Sequence, residues 1–386
     1  MLKGREVANK ILIIAGFDKS LLLFRKQLIE SWLKSGLKVV AAAPGERVKE
    51  DIEGVGASYR SLPLSRTGIN PLEDIMLTVR ILKLLKEERP KLLFLYTAKP
   101  VIYGSIAAYA FSKCRVFSLI TGLGYSFSEF DDNRVWLKRF VSLLYKIALK
   151  KNEKVFFQNY DDSSYFLENA LVSKAKVVNV NGSGVDLDHY RPLPVTTDQV
   201  RFLLISRLII SKGIFEFIEA ARILKNKYPN TCFVMIGWAL ANGPLSIKKE
   251  TVESWEKEGI VKIHGETDDV RPFIADASVF VLPTYYREGV PRTILEAMAM
   301  GRAIITTDTP GCRDTVIEGV NGFLVPPKDS EALAVTMEKF ILEPNLVKIM
   351  GKESRRIAEQ KYNVHKINCV MNEAMGIMRD LEAGRL

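Results

Sequence analysis

The sequence predicts an open α/β fold with two domains, each built on a parallel β-sheet. Short apolar runs alternate with longer helical patterns through most of the 386 residues, and this alternation is typical of βαβ units. Most of the short runs are apolar throughout, as expected for strands that are buried on both faces of a parallel sheet. At roughly 150 residues per domain, the length favours two domains over one or four.

The predicted strands form two groups, which are separated by a break in the pattern. The first group is Ile11–Ala15, Val39–Ala43, Leu92–Tyr96, Val116–Ile120 and Val155–Gln158. The second group is Phe202–Ile205, Phe233–Gly237, Val261–His264, Val279–Leu282 and Ala303–Thr306. Helical periodicity fills the intervals, for example at Leu21–Ser35, Pro71–Glu88, Ile214–Lys227 and Arg292–Met300.

The break near residues 186–200 holds two prolines and several polar residues, which is typical of a linker. We therefore expect an N-terminal domain at 1–195, a second domain at 196–360, and a C-terminal helical segment at 361–386. Ligands of open α/β sheets bind at the carboxyl ends of the strands. With two such domains, we expect the ligand site in the cleft between them.

Composition and charge exclude several classes of protein. A hydrophobic content of 47% and a charged content of 26% exclude a disordered or fibrous chain. The net charge of +10 favours an anionic partner: nucleic acid, a phosphorylated substrate or a membrane. Four cysteines without a CxxC pair, and only three histidines, argue against a zinc site or a disulfide framework and indicate a reducing compartment. No uncharged apolar run reaches 18 residues, so we expect no membrane-spanning helix, and the N-terminal apolar run predicts a first strand rather than a signal peptide.

The most informative stretch runs from Tyr285 to Gly301. It begins where a strand ends, and Glu288 lies in the following turn. Pro291 stands where the first turn of a helix tolerates proline, and the backbone N–H groups of a helix start can bind an anion. Glu288 can reach a ligand beside that anion, and Glu296, one or two turns into the helix, can reach a group deeper in the pocket.

A second stretch, Ser206–Gly213, also follows a buried strand and precedes a helix. Its cations, Arg207 and Lys212, can hold a diphosphate and stabilise it as a leaving group. Each stretch alone resembles ordinary solvated surface. Because both lie at strand-to-helix turns of one domain, together they predict a nucleoside-diphosphate site.

Glu288 and Glu296 within REGVPRTILEAMAMG, with SRLIISKG upstream, resemble the retaining glycosyltransferases of family 4, which have the two-domain GT-B fold. The likeness covers nearly the whole chain. It implies that the second domain binds a sugar nucleotide, with Arg207 and Lys212 at the diphosphate. Glu296 would bind the ribose hydroxyls and Glu288 the donor sugar, so the implied catalytic residues are Glu288, Lys212 and Arg207.

The same resemblance implies further donor contacts and no metal or organic cofactor. Val270 would border the base, and the backbone around Gly289 and Val290 would add N–H groups to the phosphate site. Gly16, after the first strand, would face the donor phosphates or the acceptor, although a plain turn glycine is an equal alternative.

The first domain resembles a narrower set, through LPLSRTGINPLED at 62–74, YTAKPVIYG at 96–104 and ITGLGY at 120–125. These segments are similar to bacterial enzymes that build surface polysaccharide or glycan on a polyprenyl diphosphate carrier. That implies a lipid-linked glycan acceptor and a UDP-linked N-acetylhexosamine as donor, with UDP-hexose or GDP-mannose as alternatives. Many family members carry a histidine near the turn at Thr121, which this chain lacks, so either backbone groups near Gly122 replace it or the contacts differ. The candidate acceptor contacts are Arg25, Arg66, Lys99 and Gly122, with a solvated surface charge as the alternative for the three cations.

The segment 134–154 contains seven Lys or Arg residues and one acidic residue. A basic amphipathic helix is typical of a membrane-surface element, here an anionic membrane surface. The alternative is an ordinary helix whose apolar side joins the core, and both hold if the cations face lipid. The residues that recur at helical spacing are Trp136, Leu137, Phe140, Leu144 and Ile147.

We therefore expect a retaining glycosyltransferase that is cytoplasmic and peripheral at the inner face of the cell membrane. One alternative is a sugar-nucleotide epimerase of the same architecture, but the chain offers no matching acid–base set around a sugar. The other is a non-catalytic protein that binds an anionic ligand. Nucleic acid is not the expected partner, because no recognised nucleic-acid motif is present.

Overall fold

The computed structural model of the protein describes residues 9–65, 68, 70–111, 114–127, 135–195, 199–237, 245–377 and 382. The chain forms two compact units, Met1–Ser183 with Val364–Leu386 and Gly184–Asn363. Each unit contains one sheet with exclusively parallel pairings between its named strands. The predicted fold class is confirmed.

Unit 1 has a seven-stranded sheet. Its strands are β1 (Lys10–Ala15), β2 (Lys38–Ala43), β3 (Ser58–Ser61), β4 (Leu92–Tyr96), β5 (Arg115–Ile120), β6 (Lys154–Phe157) and β7 (Val177–Asn179). Its first helices are α1 (Lys19–Lys34), α2 (Lys49–Gly54), α3 (Pro71–Glu88), α4 (Ser105–Tyr109), α5 (Val135–Ala148) and α6 (Tyr160–Glu168). The strand order β3-β2-β1-β4-β5-β6-β7 reverses direction between β1 and β4.

Strand β1 shows why the buried runs are apolar throughout. Successive side chains of a strand point to opposite faces of the sheet, and both faces of this sheet are covered. Ile11 and Ile13 pack in one core with Trp32 of α1, whereas Leu12 packs in another with Ile81 of α3. A polar residue on either face would be buried without a partner, so the alternation that marks a half-exposed strand is missing.

Unit 2 has a six-stranded sheet. Its strands are β8 (Arg201–Ile205), β9 (Cys232–Ile236), β10 (Lys262–His264), β11 (Val279–Leu282), β12 (Ala303–Thr307) and β13 (Gly322–Val325). Its helices are α7 (Ile214–Lys227), α8 (Lys249–Lys257), α9 (Arg271–Asp276), α10 (Arg292–Ala299), α11 (Ser330–Leu342) and α12 (Asn345–Lys361). The strand order β10-β9-β8-β11-β12-β13 reverses between β8 and β11, and ligands of such sheets bind beside the reversal, at the carboxyl edge.

Three strands were not predicted from the sequence: β3, β7 and β13. All three are edge strands of their sheets. Their burial is incomplete: only the second residue of β3 is buried, and β7 is half-buried throughout. An edge strand has a neighbour on one side only and can carry polar residues, as β3 and β7 do; β13 has an apolar run, but of three residues only.

The two units divide between Ser183 and Gly184, so the segment 184–195 packs in unit 2 rather than with the first domain, where the pattern placed it. Val185 pairs with Asn363, and Tyr190 joins the core of unit 2. The first contact is a backbone bridge and the second is the packing of one side chain, and the prolines and polar residues around them gave no sign of either.

The C-terminal helix α13 (Val364–Met375) belongs to unit 1. Met371 and Met375 are fully buried in the core that contains Trp32, and the indole Nε1 of Trp32 donates a hydrogen bond to Asn372 Oδ1 at 2.9 Å. Within the described ranges, no helix has the length and hydropathy needed to cross a membrane.

Candidate functional site

The loop after β8 carries both predicted cations, Arg207 and Lys212. It ends in a 3₁₀ turn, Ile210–Lys212, followed by Gly213 in the left-handed region at φ 75°. A Cβ at Gly213 would lie 2.1 Å from the carbonyl oxygen of Pro283. Only glycine permits this approach, which brings the loop after β8 against the loop after β11.

Hydrogen bonds fix the two loops to each other through the carbonyl of Ser211. This oxygen accepts from the backbone N–H groups of Tyr285 at 2.9 Å and Tyr286 at 3.0 Å, and from Thr284 Oγ1 at 3.1 Å. The loops therefore form one structural piece at the point where the sheet of unit 2 reverses.

The structure brings Lys212 and Glu288 together at this junction. Lys212 Nζ forms an ion pair with Glu288 Oε1, and the two side chains are 10% and 16% exposed. The guanidinium carbon of Arg207 and Nζ of Lys212 lie 5.9 and 5.7 Å from the centre of the Tyr286 ring. Two cations thus share one partly buried surface, where charge interactions are stronger than in bulk water.

The turn that contains Gly289 and Val290 is held by the loop after β12. A Cβ at Gly311 would lie 1.4 Å from the carbonyl oxygen of Gly289, so the two backbones touch. Val290 is buried, and α10 begins two residues later. Burial, together with the charge of Glu288, raises the pKa of Cys312 to about 12, so this neighbouring side chain stays a neutral thiol.

Glu296 lies on α10 and is buried with two hydrogen-bond donors. Tyr190 Oη donates to its Oε1 at 3.0 Å, and Arg292 Nε donates to the same oxygen at 3.1 Å. Burial raises the pKa of Glu296, whereas Arg292 and the hydrogen bond from Tyr190 act in the opposite direction. Within the described part of the chain, Oε1 makes both hydrogen bonds of this carboxylate, so Oε2 is the oxygen left for a ligand.

Sequence reasoning missed Tyr190 and Arg292. Arg292 had a signal, because it stands four residues before Glu296 on one helix, a spacing at which side chains meet. Tyr190 had none, since it is separated from Glu296 by 106 positions and only the fold brings them together.

The third element predicted to bind the nucleotide-sugar donor is the loop before α9. Val270 is half-buried and directly precedes that helix. Asp269 Oδ1 accepts hydrogen bonds from the backbone N–H of Arg271 at 3.0 Å and from its Nε at 2.8 Å. This carboxylate orders the turn that follows Val270, at the end of the sheet where β10 finishes.

Two predicted site residues lie at the carboxyl edge of the unit 1 sheet. Gly16 follows β1, and its N–H donates to Thr97 Oγ1 at 3.1 Å. Gly122 follows β5 with φ 109°. Gly16 therefore belongs to a different unit from the other donor candidates, which are all in unit 2.

The cations predicted for the acceptor are engaged within unit 1. Arg25 is 1% exposed, and its guanidinium carbon lies 5.4 Å from the centre of the Tyr96 ring. Lys99 Nζ pairs with Asp74 Oδ1 at 2.8 Å, and Tyr103 Oη donates to the other oxygen of that carboxylate at 2.8 Å. Neither Arg25 nor Lys99 is a freely solvated surface charge; Arg66 lies outside the described residues.

The apolar residues of the basic segment do not form one buried stripe. Leu137 is buried and Leu144 is half-buried against the core. Trp136, Phe140 and Ile147, by contrast, are exposed on the outer side of α5. The predicted stripe thus divides between the core and the surface. The first residue of the basic segment, Arg134, lies outside the described residues.

Two family models match the chain, one for each half. The model described as glycosyl transferase 4-like matches residues 10–159, and the model described as glycosyl transferases group 1 matches residues 189–357. The second match contains Arg207, Lys212, Glu288 and Glu296.

Curated relatives align along most of the chain. It is 26% identical over 354 residues to an N,N'-diacetylbacillosaminyl-diphospho-undecaprenol alpha-1,3-N-acetylgalactosaminyltransferase from Campylobacter jejuni, covering 87% of this chain and 91% of that protein. It is 24% identical over 322 residues to a UDP-Gal:alpha-D-GlcNAc-diphosphoundecaprenol alpha-1,3-galactosyltransferase from Escherichia coli, covering 79% and 80%.

Solved structures share the fold. Sucrose-phosphate synthase from Thermosynechococcus elongatus superposes with a TM-score of 0.78 at 18% identity, covering 97% of this chain and 100% of the other. HepE from Anabaena, in complex with UDP, superposes with a TM-score of 0.76 at 19% identity, covering 95% and 99%. At these identities the likeness concerns the two-domain fold alone.

Proposed function

Because the chain belongs to the GT4-type glycosyltransferases, we propose that it transfers a sugar from a UDP-sugar to a polyprenyl-diphosphate-linked glycan with retention of configuration. The sugar is an N-acetylhexosamine or a hexose, and the product enters a surface polysaccharide or a glycoprotein glycan. The observation that carries the proposal is the partly buried Lys212–Glu288 pair, with Arg207, at the reversal of the unit 2 sheet. The substrates named for the relatives from C. jejuni and E. coli support the lipid-linked acceptor and the UDP-sugar donor.

The donor diphosphate binds at the cations. A lysine ammonium has three N–H donors, so Lys212 can keep its bond to Glu288 and still donate to a phosphate oxygen. Arg207 presents a planar fork that suits a second phosphate oxygen. Together these charges stabilise the departing diphosphate, and Glu296 accepts hydrogen bonds from the ribose through Oε2.

In the transfer step, the bond between the sugar C1 and the phosphate oxygen breaks, and a bond from the acceptor hydroxyl oxygen to C1 forms on the same face. The hydroxyl proton passes to the leaving phosphate oxygen. Lys212 and Arg207 supply the positive charge that this step needs, so the proposed reaction requires no metal. Glu288 contacts the donor sugar and holds Lys212 in place.

The acceptor and the site of action are also part of the proposal. The acceptor diphosphate binds at the carboxyl edge of unit 1, where Lys99 and Gly122 lie, and the basic segment 134–154 holds the enzyme at the inner face of the cell membrane. Clustered cations are attracted to an anionic leaflet by about 1 kcal/mol each near the surface.

The experiment is a turnover assay of purified protein with UDP-, GDP- and dTDP-sugars, a polyprenyl-diphosphate sugar as acceptor, and a chelator in parallel reactions. We expect release of UDP that requires the acceptor and survives chelation. Lys212→Ala and Glu288→Ala should each lower kcat by about a hundredfold or more. The matched control is Lys227→Ala, which breaks an exposed lysine–glutamate pair in the same unit and should leave turnover unchanged.

Release of nucleoside diphosphate without acceptor would contradict the transferase and point to hydrolysis. Epimerised donor, or binding of nucleotide without any turnover, would point to the two alternatives.

A further inference from the structure

Three neighbouring helices of unit 1 expose an unusual share of apolar surface. Helix α4 packs against both α3 and α5. Of the twenty large apolar side chains that are exposed among the described residues, ten belong to these helices, which hold only 18, 5 and 14 residues. They are Leu72, Ile75, Met76 and Val79 of α3, Tyr109 of α4, and Val135, Trp136, Phe140, Leu143 and Ile147 of α5.

On α3 the exposed apolar residues form a continuous stripe at helical spacing. Leu72, Ile75, Met76 and Val79 are all more than half exposed and stand one turn apart on one side of the helix. Other apolar residues of α3, including Leu77 and Ile81, pack in the core on the inner side of the helix. The stripe is therefore surplus to the packing of unit 1, and contiguous apolar surface of this kind marks an interaction site.

The α3 stripe occupies the end of the helix nearest the candidate acceptor residues. In a parallel α/β sheet each helix begins at the carboxyl edge, where the preceding strand ends. The stripe fills the first half of α3, and the exposed residues of α5 begin at its first residue, Val135. Asp74, inside the α3 stripe region, is bonded to Lys99 and Tyr103, so the stripe is fixed to the element that carries the acceptor candidate.

The charge of α5 favours an anionic partner for this surface, although the first turn of α3 carries one exposed acidic residue, Glu73. Helix α5 contains no acidic residue, and Arg139 and Lys146 are exposed between its apolar side chains. A second copy of the chain docked symmetrically through α5 would bring these cations together, which is unfavourable. An anionic bilayer accepts both features, since apolar side chains enter its interface while cations meet its headgroups, and an exposed tryptophan such as Trp136 suits that boundary.

We propose that α3 and α5 together form a lipid-docking surface, in which the α3 stripe enters the interface of an anionic membrane beside the basic helix α5. This surface rests on the proposed function in one respect: the lipid-linked acceptor is the reason that the enzyme needs to dock on a membrane. Helix α3 contributes apolar contact with the membrane interface, whereas α5 contributes both apolar contact and positive charge. The net charge of the chain therefore gives no indication of the role of α3.

The experiment measures partition of purified full-length protein onto vesicles of phosphatidylcholine, with and without phosphatidylglycerol, at low and high salt. The α3 variant is Ile75→Gln with Val79→Gln, and the charge variant is Arg139→Gln with Lys146→Gln. The matched control is Val335→Gln with Leu342→Gln on α11, where both side chains are also more than half exposed. Glutamine favours helix at least as well as valine or isoleucine, so folding should be preserved, and thermal unfolding checks this.

We expect the α3 variant to lose about tenfold or more in partition onto anionic vesicles and to keep the salt dependence of the parent. The charge variant should lose partition mainly at low salt, because salt screens its contribution, and the α11 control should bind like the parent. Wild-type partition by the α3 variant would overturn the proposal. So would a parent chain that is dimeric, ignores vesicles and becomes monomeric in the α3 variant.

A turnover arm separates this inference from the proposed function. We expect the α3 variant to lose transfer to an acceptor embedded in vesicles and to retain transfer to a water-soluble short-chain prenyl-diphosphate sugar. If the parent transfers to neither acceptor while the α3 variant still loses vesicle binding, the proposed function fails and the docking surface stands.

Discussion

Replacing Tyr190 with phenylalanine isolates one hydrogen bond at Glu296 and leaves the packing of the ring in place. Tyr190 Oη donates to Glu296 Oε1 at 3.0 Å, and both residues are buried. The substitution removes one of the two donors that hold the carboxylate and leaves Arg292 as the other. If Glu296 binds the ribose of the donor, Tyr190→Phe should weaken nucleotide binding without touching the ligand itself.

The structure sets the size of the effect. A hydrogen bond to a charged group contributes about 1.5 to 3 kcal/mol, and about 1.4 kcal/mol corresponds to a tenfold change in affinity. Because Arg292 still holds the same oxygen, we expect the lower end of that range, a loss of about tenfold in affinity for UDP.

The loss should depend on pH in a defined direction. Burial already raises the pKa of Glu296, and the bond from Tyr190 favours the ionised form, so removing it raises that pKa further. A ribose hydroxyl donates best to the ionised carboxylate. The acidic limb of UDP binding should therefore move to higher pH in Tyr190→Phe, and the difference from the parent should grow as pH falls through this range. Arg292 is the other charged group at this carboxylate, and Asp269 and Arg271 act on the Tyr190 side of the contact.

The assay is calorimetric titration of UDP into the parent, Tyr190→Phe and Tyr228→Phe across the acidic to neutral range. Tyr228 donates a similar bond to Glu338 Oε1 at 2.8 Å in the same unit, so this control removes an equivalent hydroxyl away from the candidate site. Parent-like affinity for Tyr190→Phe at every pH, or a loss equal to that of Tyr228→Phe, would refute the reasoning.

Two further predictions concern positions that support the site and the fold. Gly213→Ala should destabilise unit 2 and abolish donor turnover, because the new Cβ would lie 2.1 Å from the Pro283 carbonyl oxygen. The control is Gly319→Ala: Gly319 has a similar φ of 72°, and a Cβ there would meet no atom within 4 Å. This control should lower the free energy of unfolding by only about 1 to 2 kcal/mol, from backbone strain, as measured by thermal unfolding. Met371→Ala, at a fully buried position of α13, should lower the free energy of unfolding of unit 1 by about 2 to 5 kcal/mol. The control is Val370→Ala at the neighbouring, half-exposed position, which should change this free energy by less than about 1 kcal/mol. Equal effects of the two substitutions in denaturant unfolding would mean that α13 does not complete the core of unit 1.

The central strands and the candidate site were both predictable, for related reasons. A strand is apolar wherever it is buried on both faces, so β1 after Lys10, β4 and β11 can be recognised from their consecutive residues. The loops that carry Lys212 and Glu288 could be recognised because each directly follows such a strand. The sequence placed both residues at strand-to-helix turns of one domain, but their ion pair and its position at the sheet reversal came from the structure, which joins the two loops through Ser211.

The helix α5 shows where local pattern is insufficient. Its apolar residues recur at a spacing that fits a buried stripe, yet the fold rotates the helix so that Leu137 faces the core and Phe140 faces outward. Periodicity gives the separation of residues around a helix but not the direction in which the helix packs, which depends on the neighbouring helices. The exposed stripe of α3 was missed for the same reason, because Leu72 and Val79 look like core residues in the sequence.

By itself, the sequence determined the α/β class, the central strands, the glycosyltransferase signature and the loops that hold Arg207, Lys212 and Glu288. Each of these features depends on residues that are neighbours in the chain. Only the tertiary structure decided that Tyr190 holds Glu296, that Asp74 engages Lys99, that α13 returns to unit 1, and that α3 leaves an apolar stripe uncovered. Each of these depends on residues far apart in the chain or on which side of a helix finds a neighbour. Such contacts are set by packing of the whole unit, and no local pattern of residue types encodes them.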